Sequence, residues 1–185
     1  MFKRLIIAFV LSHSVAFAEP RLRPPTWATP IIETSLTNFY WVDNALYRSA
    51  QPDDADFKEL TPFNIHEILN LREYHSDDEA VEQQLTVHHV PMAAGSVTEA
   101  QLLDALTQIK NRKSPLLIHC WHGSDRTGVT VAAYRVVFQH WSKAQAIDEM
   151  VNGGYGYHAT FYPNLVTLIN DLDVAKIQKQ LGVSF

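Results

Sequence analysis

Leu116-Leu117-Ile118-His119-Cys120-Trp121-His122-Gly123-Ser124-Asp125-Arg126-Thr127-Gly128 is the stretch on which the reading of this chain turns. Leu116 to His119 is short, continuous and apolar, the pattern of a central strand covered on both faces. The chain then turns, and a helical pattern runs from about Thr127 to His140. A helix entered in this way directs its free backbone N–H groups and positive dipole end into the turn. Such donors suit a tetrahedral oxyanion, and Gly123 allows a backbone conformation in which successive N–H groups converge.

The same donors, the helix end, Arg126 and His119 favour the thiolate of Cys120, the reactive form of that side chain. Arg126 returns on the same loop, and its planar fork matches two oxygens of a phosphate or of a trigonal bipyramidal phosphorane. A thiolate beneath and a guanidinium beside a bound phosphate imply nucleophilic phosphoryl transfer through a phosphocysteine. Trp121, His122, Gly123, Ser124, Asp125 and Arg126 are therefore the candidate phosphate-binding residues. Given one cysteine, His before it with Gly, Arg, Thr and Gly after it at these spacings has a chance probability on the order of 10⁻⁷. That weighs against the competing reading, a buried structural cysteine near an ordinary helix start.

Outward from this stretch, apolar runs alternate with helical patterns from about Phe39 onward, the signature of βαβ units. Strands are predicted near Ala45–Arg48, Glu67–Leu71, Thr86–Val90 and Leu116–His119. Pro52 followed by Asp53 and Asp54 suits a helix start. Ser96-Val97-Thr98-Glu99 reads as a capping box before Leu102, Ala105, Leu106 and Ile109, which repeat at helical spacing. Ser142 and Gln145 make a second box before Ala146, Ile147 and Met150, closed by Gly153. The fold class is α/β, with a central, mostly parallel twisted sheet flanked by helices.

Composition narrows the function classes. The chain has 185 residues, 46% hydrophobic and 19% charged, enough for one domain and unlike a disordered chain. A formal charge of −5 gives no basic footprint for nucleic acid. A single cysteine excludes an intrachain disulfide framework, a multi-thiolate zinc site and a disulfide oxidoreductase. The histidines show no metal spacing, since His88 and His89 are adjacent on a strand and point to opposite faces. No metal and no cofactor are expected.

At the start, Met1 to Arg4 is basic, Leu5 to Leu11 is apolar, and Ala16-Phe17-Ala18 has the small-x-small pattern of a signal-peptidase site. The apolar run is too short to span a bilayer, so residues 1–18 read as a signal peptide and the protein as exported, with no stable membrane insertion afterwards. Losing Lys3 and Arg4 would take the formal charge from −5 to −7. Four of the nine prolines fall between Pro20 and Pro30, so residues 19–38 read as an irregular lead-in, followed by the catalytic domain at 39–185.

The string HCWHGSDRTG resembles the His-Cys-x5-Arg signature of protein tyrosine phosphatases, specifically the small dual-specificity class. Leu46-Tyr47-Arg48-Ser49-Ala50-Gln51-Pro52, Asn70-Leu71-Arg72, Ala133-Tyr134-Arg135 and Gly153-Gly154-Tyr155-Gly156 are similar to segments of bacterial exported phosphatases of this type, some of which act in the periplasm. The resemblance covers about Phe39 to His158. It implies a phosphatase fold, metal-free two-step hydrolysis of a phosphorylated protein, and a periplasmic location. It also implies Cys120 as nucleophile, Arg126 as phosphate binder, and Thr127 as the residue that assists the cysteine as it leaves.

One departure matters. The family usually keeps an aspartate on a mobile loop that here reads Pro91-Met92-Ala93-Ala94-Gly95-Ser96, without a carboxylate. Asp125 resembles the acid proposed in other cysteine phosphatases, and its alternative role is to hydrogen-bond backbone and shape the loop. Glu99 is a third candidate, already occupied by its capping box. Arg48 is expected to pair with a carboxylate or to contact substrate. The Gly153 to His158 stretch is either a helix exit or a rim from which Tyr155, Tyr157 and His158 touch substrate. Rival functions are phosphoinositide or inositol phosphate hydrolysis, disfavoured by a loop without lysines, and a non-catalytic phosphate-binding module. Oligomeric state carries no signal in the sequence.

Overall fold

Residues 22–183 are described by a computed structural model, and the signal peptide expected at 1–18 lies outside them. Among these residues six strands form one sheet: β1 (Thr29–Pro30), β2 (Tyr40–Asp43), β3 (Leu46–Ser49), β4 (Glu67–Asn70), β5 (Thr86–His89) and β6 (Leu116–His119). The order is β1-β2-β3-β6-β4-β5, with β3, β6, β4 and β5 parallel and β1 and β2 added antiparallel at one edge. Seven helices accompany it: α1 (Asp54–Lys58), α2 (Asp78–Glu82), α3 (Glu99–Asn111), α4 (Asp125–Phe138), α5 (Lys143–Asn152), α6 (Asn164–Asp171) and α7 (Val174–Leu181). The expected α/β architecture is present.

β6 lies at the centre, and all four of its residues are buried, as its apolar run predicts. Period-two alternation divides its side chains between two cores. Leu116 and Ile118 join Leu46, Leu69, Leu102, Leu106 and Val129 on the face covered by α3 to α7. Leu117 joins Tyr47, Ile68, Phe57 and Leu60 on the face covered by α1 and α2. Each large side chain so buried contributes about 1.5–3 kcal/mol. The helix behind the signature loop, α4, is buried on nearly every side, so it is the central helix rather than a surface one.

Several boundaries differ from the sequence reading. The capping box of α3 is Thr98 with Gln101, not Ser96 with Glu99. Ser96 ends a short 3₁₀ turn, whereas Thr98 has the extended backbone an N-cap needs, and its hydroxyl accepts from Gln101 N–H at 3.2 Å. The second box, Ser142 with Gln145, and the Gly153 cap of α5 are as expected. α4 begins at Asp125 and ends at Phe138, two residues earlier at each end than predicted. Gly128 N–H already bonds Ser124 O at 2.9 Å at the start, and His140 takes positive φ just past the end. The lead-in is largely irregular but joins the packing: Trp27, Ala28 and Leu36 are buried, and Ala28 N–H donates to Glu149 at 2.6 Å.

Candidate active site

Parallel pairing sets the site. Ser49 and Asn70 flank His119 in register, so β3, β4 and β6 all leave the sheet at one edge. Open α/β sheets place ligands at the carboxyl edge of their strands. The segments leaving it are Ala50-Gln51, Leu71-Arg72 and the loop from Cys120 to Arg126.

That loop is held from outside by its carbonyls. Trp121 O accepts from Gln51 N–H at 3.0 Å, His122 O from Asn38 Nδ2 at 2.8 Å, and Gly123 O from Arg48 Nη2 at 2.7 Å. In a planar trans peptide the following N–H points away from the carbonyl. The N–H groups of His122, Gly123 and Ser124 are therefore turned inward. Among the described residues none of the three donates to a backbone carbonyl. Gly123 has φ +72°, and a Cβ there would stand 2.5 Å from the Ser49 carbonyl carbon. Glycine is required on both counts.

Two further groups complete the cradle. Arg126 Nη1 donates to Met92 O at 3.3 Å, which ties the guanidinium to the Pro91–Ser96 loop, while its Nε is buried and unpartnered. Thr127 Oγ1 is also buried and unpartnered. A buried polar atom left unsatisfied costs about 1–3 kcal/mol, so two such donors on adjacent residues just after the loop are ones a ligand can satisfy.

Cys120 is buried, and its charge as thiolate acts on both Arg48 and Arg72. Burial lowers Arg48 from the ordinary arginine value, while Tyr155, Glu149 and Cys120 oppose that. Burial, then Arg126, lower Arg72, while Asp77 and Cys120 oppose them. Arg72 stacks 4.2 Å over the Trp121 ring and donates to Gln51 Oε1 at 3.0 Å. His119 turns Nε2 to Asp77 Oδ2 at 2.8 Å, with both side chains fully buried, and its Nδ1 lies 3.4 Å from the Cys120 carbonyl. Burial pushes the Asp77 carboxyl up, but the hydrogen bond and charge of His119, with Gln51, hold it below its ordinary value.

Arg48 neither pairs directly with a carboxylate nor lines the cleft, contrary to both expectations. It is fully buried, stacks 3.5 Å over the Tyr155 ring and braces Gly123 O. Tyr155 is an anchor rather than a substrate contact. Its carbonyl accepts from Ser124 Oγ at 2.6 Å and Asn38 Nδ2 at 3.0 Å, and its hydroxyl donates to Glu149 at 3.0 Å. Burial and Glu149 push that hydroxyl up to about 12, against Arg48 and Arg23. Ser124 therefore offers the loop its amide and not its side chain. Glu149 in turn makes a bidentate buried pair with Arg135, at 2.8 and 3.0 Å.

A cleft of about 450 Å³ opens over the loop, lined by Ala94, Trp121, His122, Asp125, Arg126, His158, Phe161 and Tyr162. His158 is thus at the rim, as one reading of its stretch allowed, whereas Tyr157 bonds Tyr162 O at 2.5 Å. Both carboxylate oxygens of Asp125 are engaged by His158, Oδ1 by the backbone N–H at 3.0 Å and Oδ2 by ring Nδ1 at 2.8 Å. Glu99 pairs with Lys176 at 2.7 Å and does not line the cleft. Sequence reasoning missed Asn38, Phe161 and Tyr162, which carry no motif of their own. Among the described residues no group of three or more His, Cys, Asp or Glu is arranged to hold a metal, and no helix is long and apolar enough to cross a membrane.

The sequence model described as the tyrosine phosphatase family matches residues 34–168. The dual specificity protein phosphatase TpbA of Pseudomonas aeruginosa is 35% identical over 165 residues, covering 83% of this chain and 73% of that protein. The crystal structure of a Cys-to-Ser form of P. aeruginosa TpbA in complex with pTyr has a TM-score of 0.78 at 28% identity, over 88% of this chain and 100% of that one. Inositol diphosphatase DSP5 of Arabidopsis thaliana is 30% identical over 126 residues, 60% of this chain and 59% of that protein.

Proposed function

This chain belongs to the tyrosine phosphatase family, and from that premise we propose that it is a cysteine-dependent phosphatase acting on phosphotyrosine in proteins, with phosphoserine and phosphothreonine as secondary substrates. The observation that carries this is the cradle itself. The loop that starts at Cys120 carries inward N–H groups, the free Nε of Arg126 and the free hydroxyl of Thr127, a donor set that suits a phosphate. Cys120 Sγ attacks phosphorus; the S–P bond forms as the P–O ester bond breaks, and the leaving oxygen takes a proton at the rim, where Asp125 and His158 sit. Arg126 and the amides hold the equatorial oxygens, whose charge they meet best at the transition state. Water then attacks the phosphocysteine, inorganic phosphate departs, and Thr127 Oγ1 donates to the returning thiolate.

The aromatic lining of the cleft favours an aryl ester: Trp121, His158, Phe161 and Tyr162 can flank a phenyl ring. A densely charged inositol phosphate would meet Arg126 and only nearby Arg72, with Asp125 opposing it. The test compares wild type and Cys120→Ser on a phosphotyrosine peptide and an inositol polyphosphate. The expected result is turnover of the peptide by wild type, none by Cys120→Ser, and retained peptide binding by the variant. Preference for the inositol ester, or substantial turnover by Cys120→Ser, would overturn the assignment.

Export through residues 1–18 to the periplasm belongs to the same proposal, supported by the basic start, the apolar run and Ala16-Phe17-Ala18. Fractionation of expressing cells should find the shortened chain outside the cytoplasm, and full-length protein confined to the cytoplasm would refute it.

A further inference from the structure

Departure of a tyrosine oxygen from phosphorus needs a proton, and the Pro91 to Ser96 loop has no acid to give. Its Met92 carbonyl is occupied with Arg126, and Ala94 is what it presents to the cleft. The side chains lining the cleft that exchange protons are His122, Asp125, His158 and Tyr162.

Asp125 is the obvious candidate, but its geometry is that of an acceptor. His158 donates to Oδ1 through its backbone N–H and faces Oδ2 through Nδ1, so the pair closes a ring of two hydrogen bonds. An ionised carboxylate can only accept, which assigns the Nδ1 proton to the imidazole and leaves Nε2 as the atom free to act. Asp125 is the first residue of α4 and is buried. His158 itself is held at both ends: Tyr155 anchors the preceding turn, while Phe161 and Tyr162 pack edge-on against the ring. The remaining titratable or charged groups near it are His122, whose ring centroid is 5.5 Å away, Tyr157, which burial and then the charge of Asp125 push up, and Arg126, which lines the same cleft. The carboxylate holds Nδ1 of an imidazole that lines the open cleft, the pairing found when a carboxylate orients a histidine for proton transfer.

Resting on the phosphatase reading, we propose that His158 is the general acid and base of the reaction and that Asp125 is its positioning residue. In the first step imidazolium Nε2–H gives its proton to the leaving oxygen as the P–O bond breaks. In the second, neutral Nε2 takes a proton from the water that attacks the phosphocysteine, and the imidazolium is restored. The dyad thus does the work of the loop carboxylate that Pro91 to Ser96 lacks.

The test uses His158→Gln, His158→Ala and Asp125→Asn, each on phosphotyrosine peptide and on an aryl phosphate with an activated leaving group. General acids contribute about 10²–10⁴-fold, so His158→Gln should lose that much on the peptide and under about tenfold on the activated ester. Its alkaline fall in rate should vanish, and added imidazole should restore part of the activity of His158→Ala. Asp125→Asn should be slower but keep the alkaline fall. The reverse pattern, a fall lost in Asp125→Asn and kept in His158→Gln, would assign the proton to Asp125 itself and overturn the proposal. Equal losses on both esters for His158→Gln would reduce His158 to a packing role. No turnover of either ester by the wild-type enzyme would remove the phosphatase reading and this inference together.

Discussion

Arg48→Met isolates the brace behind the phosphate loop. Arg48 Nη2 donates to Gly123 O at 2.7 Å, and it is the side-chain donor that keeps this carbonyl turned outward. Hydrogen bonds from charged groups are worth about 1.5–3 kcal/mol. Without the bond, the Gly123–Ser124 peptide is free to rotate, and the Ser124 N–H leaves the cradle. At about 1.36 kcal/mol per tenfold, the productive loop population falls by about 10- to 150-fold. A buried positive charge that interacts with Cys120 is removed at the same time. Methionine fills much of the volume without burying a charge, so the fold survives while the loop does not. The assay is kcat/KM on an aryl phosphate, with inhibition by orthovanadate as a second readout and thermal unfolding as the control. Both kinetic readouts should weaken by similar factors. A variant within about threefold of wild type, with an unchanged melting temperature, would show that the carbonyl needs no brace, and the account of how the amides are turned inward would be wrong.

Gly123→Ala should fail more severely. Positive φ costs an L-residue about 1–2 kcal/mol, and the new Cβ would sit 2.5 Å from Ser49 backbone, so stability and turnover should both drop, turnover at least about tenfold; wild-type melting and kinetics would contradict the close packing of loop against β3. Asp77 supplies a pH signature. Its folded value lies below the unfolded value of about 3.9, so its stabilisation is complete above that pH and disappears as pH falls through the folded value. Asp77→Asn should therefore unfold more easily than wild type at pH 7, with the difference shrinking below about pH 4; an unchanged difference in urea titrations down that range would refute the sign.

The central strand, the turn after it and the helix start that carries Arg126 were legible because they depend on neighbours in sequence. A strand, a turn and a helix start fit within Leu116 to Gly128, and local backbone rules suffice to set that order of elements. The α5 cap and the order of apolar runs were legible for the same reason. Arg48 was misread because a buried arginine can be satisfied by any acceptor, and nothing local said it would be a carbonyl 75 residues later. The N-cap of α3 was misplaced because Ser96 and Thr98 compete locally, and the 3₁₀ turn that decides between them depends on where the Pro91 loop is laid.

The rest was decided by the sheet. Parallel register brings Ser49, Asn70 and His119 level, and only then do Gln51, Arg72 and Cys120 meet at one edge. His158 lies 33 residues beyond Asp125, and its approach depends on α5 packing back along α4 through the Arg135–Glu149 pair. Sequence by itself determined which groups the loop brings together, since a cysteine, an arginine and a helix start need only be near one another along the chain. Tertiary structure alone decided what braces that loop and what faces it across the cleft, because those contacts join segments whose separation along the chain carries no distance information.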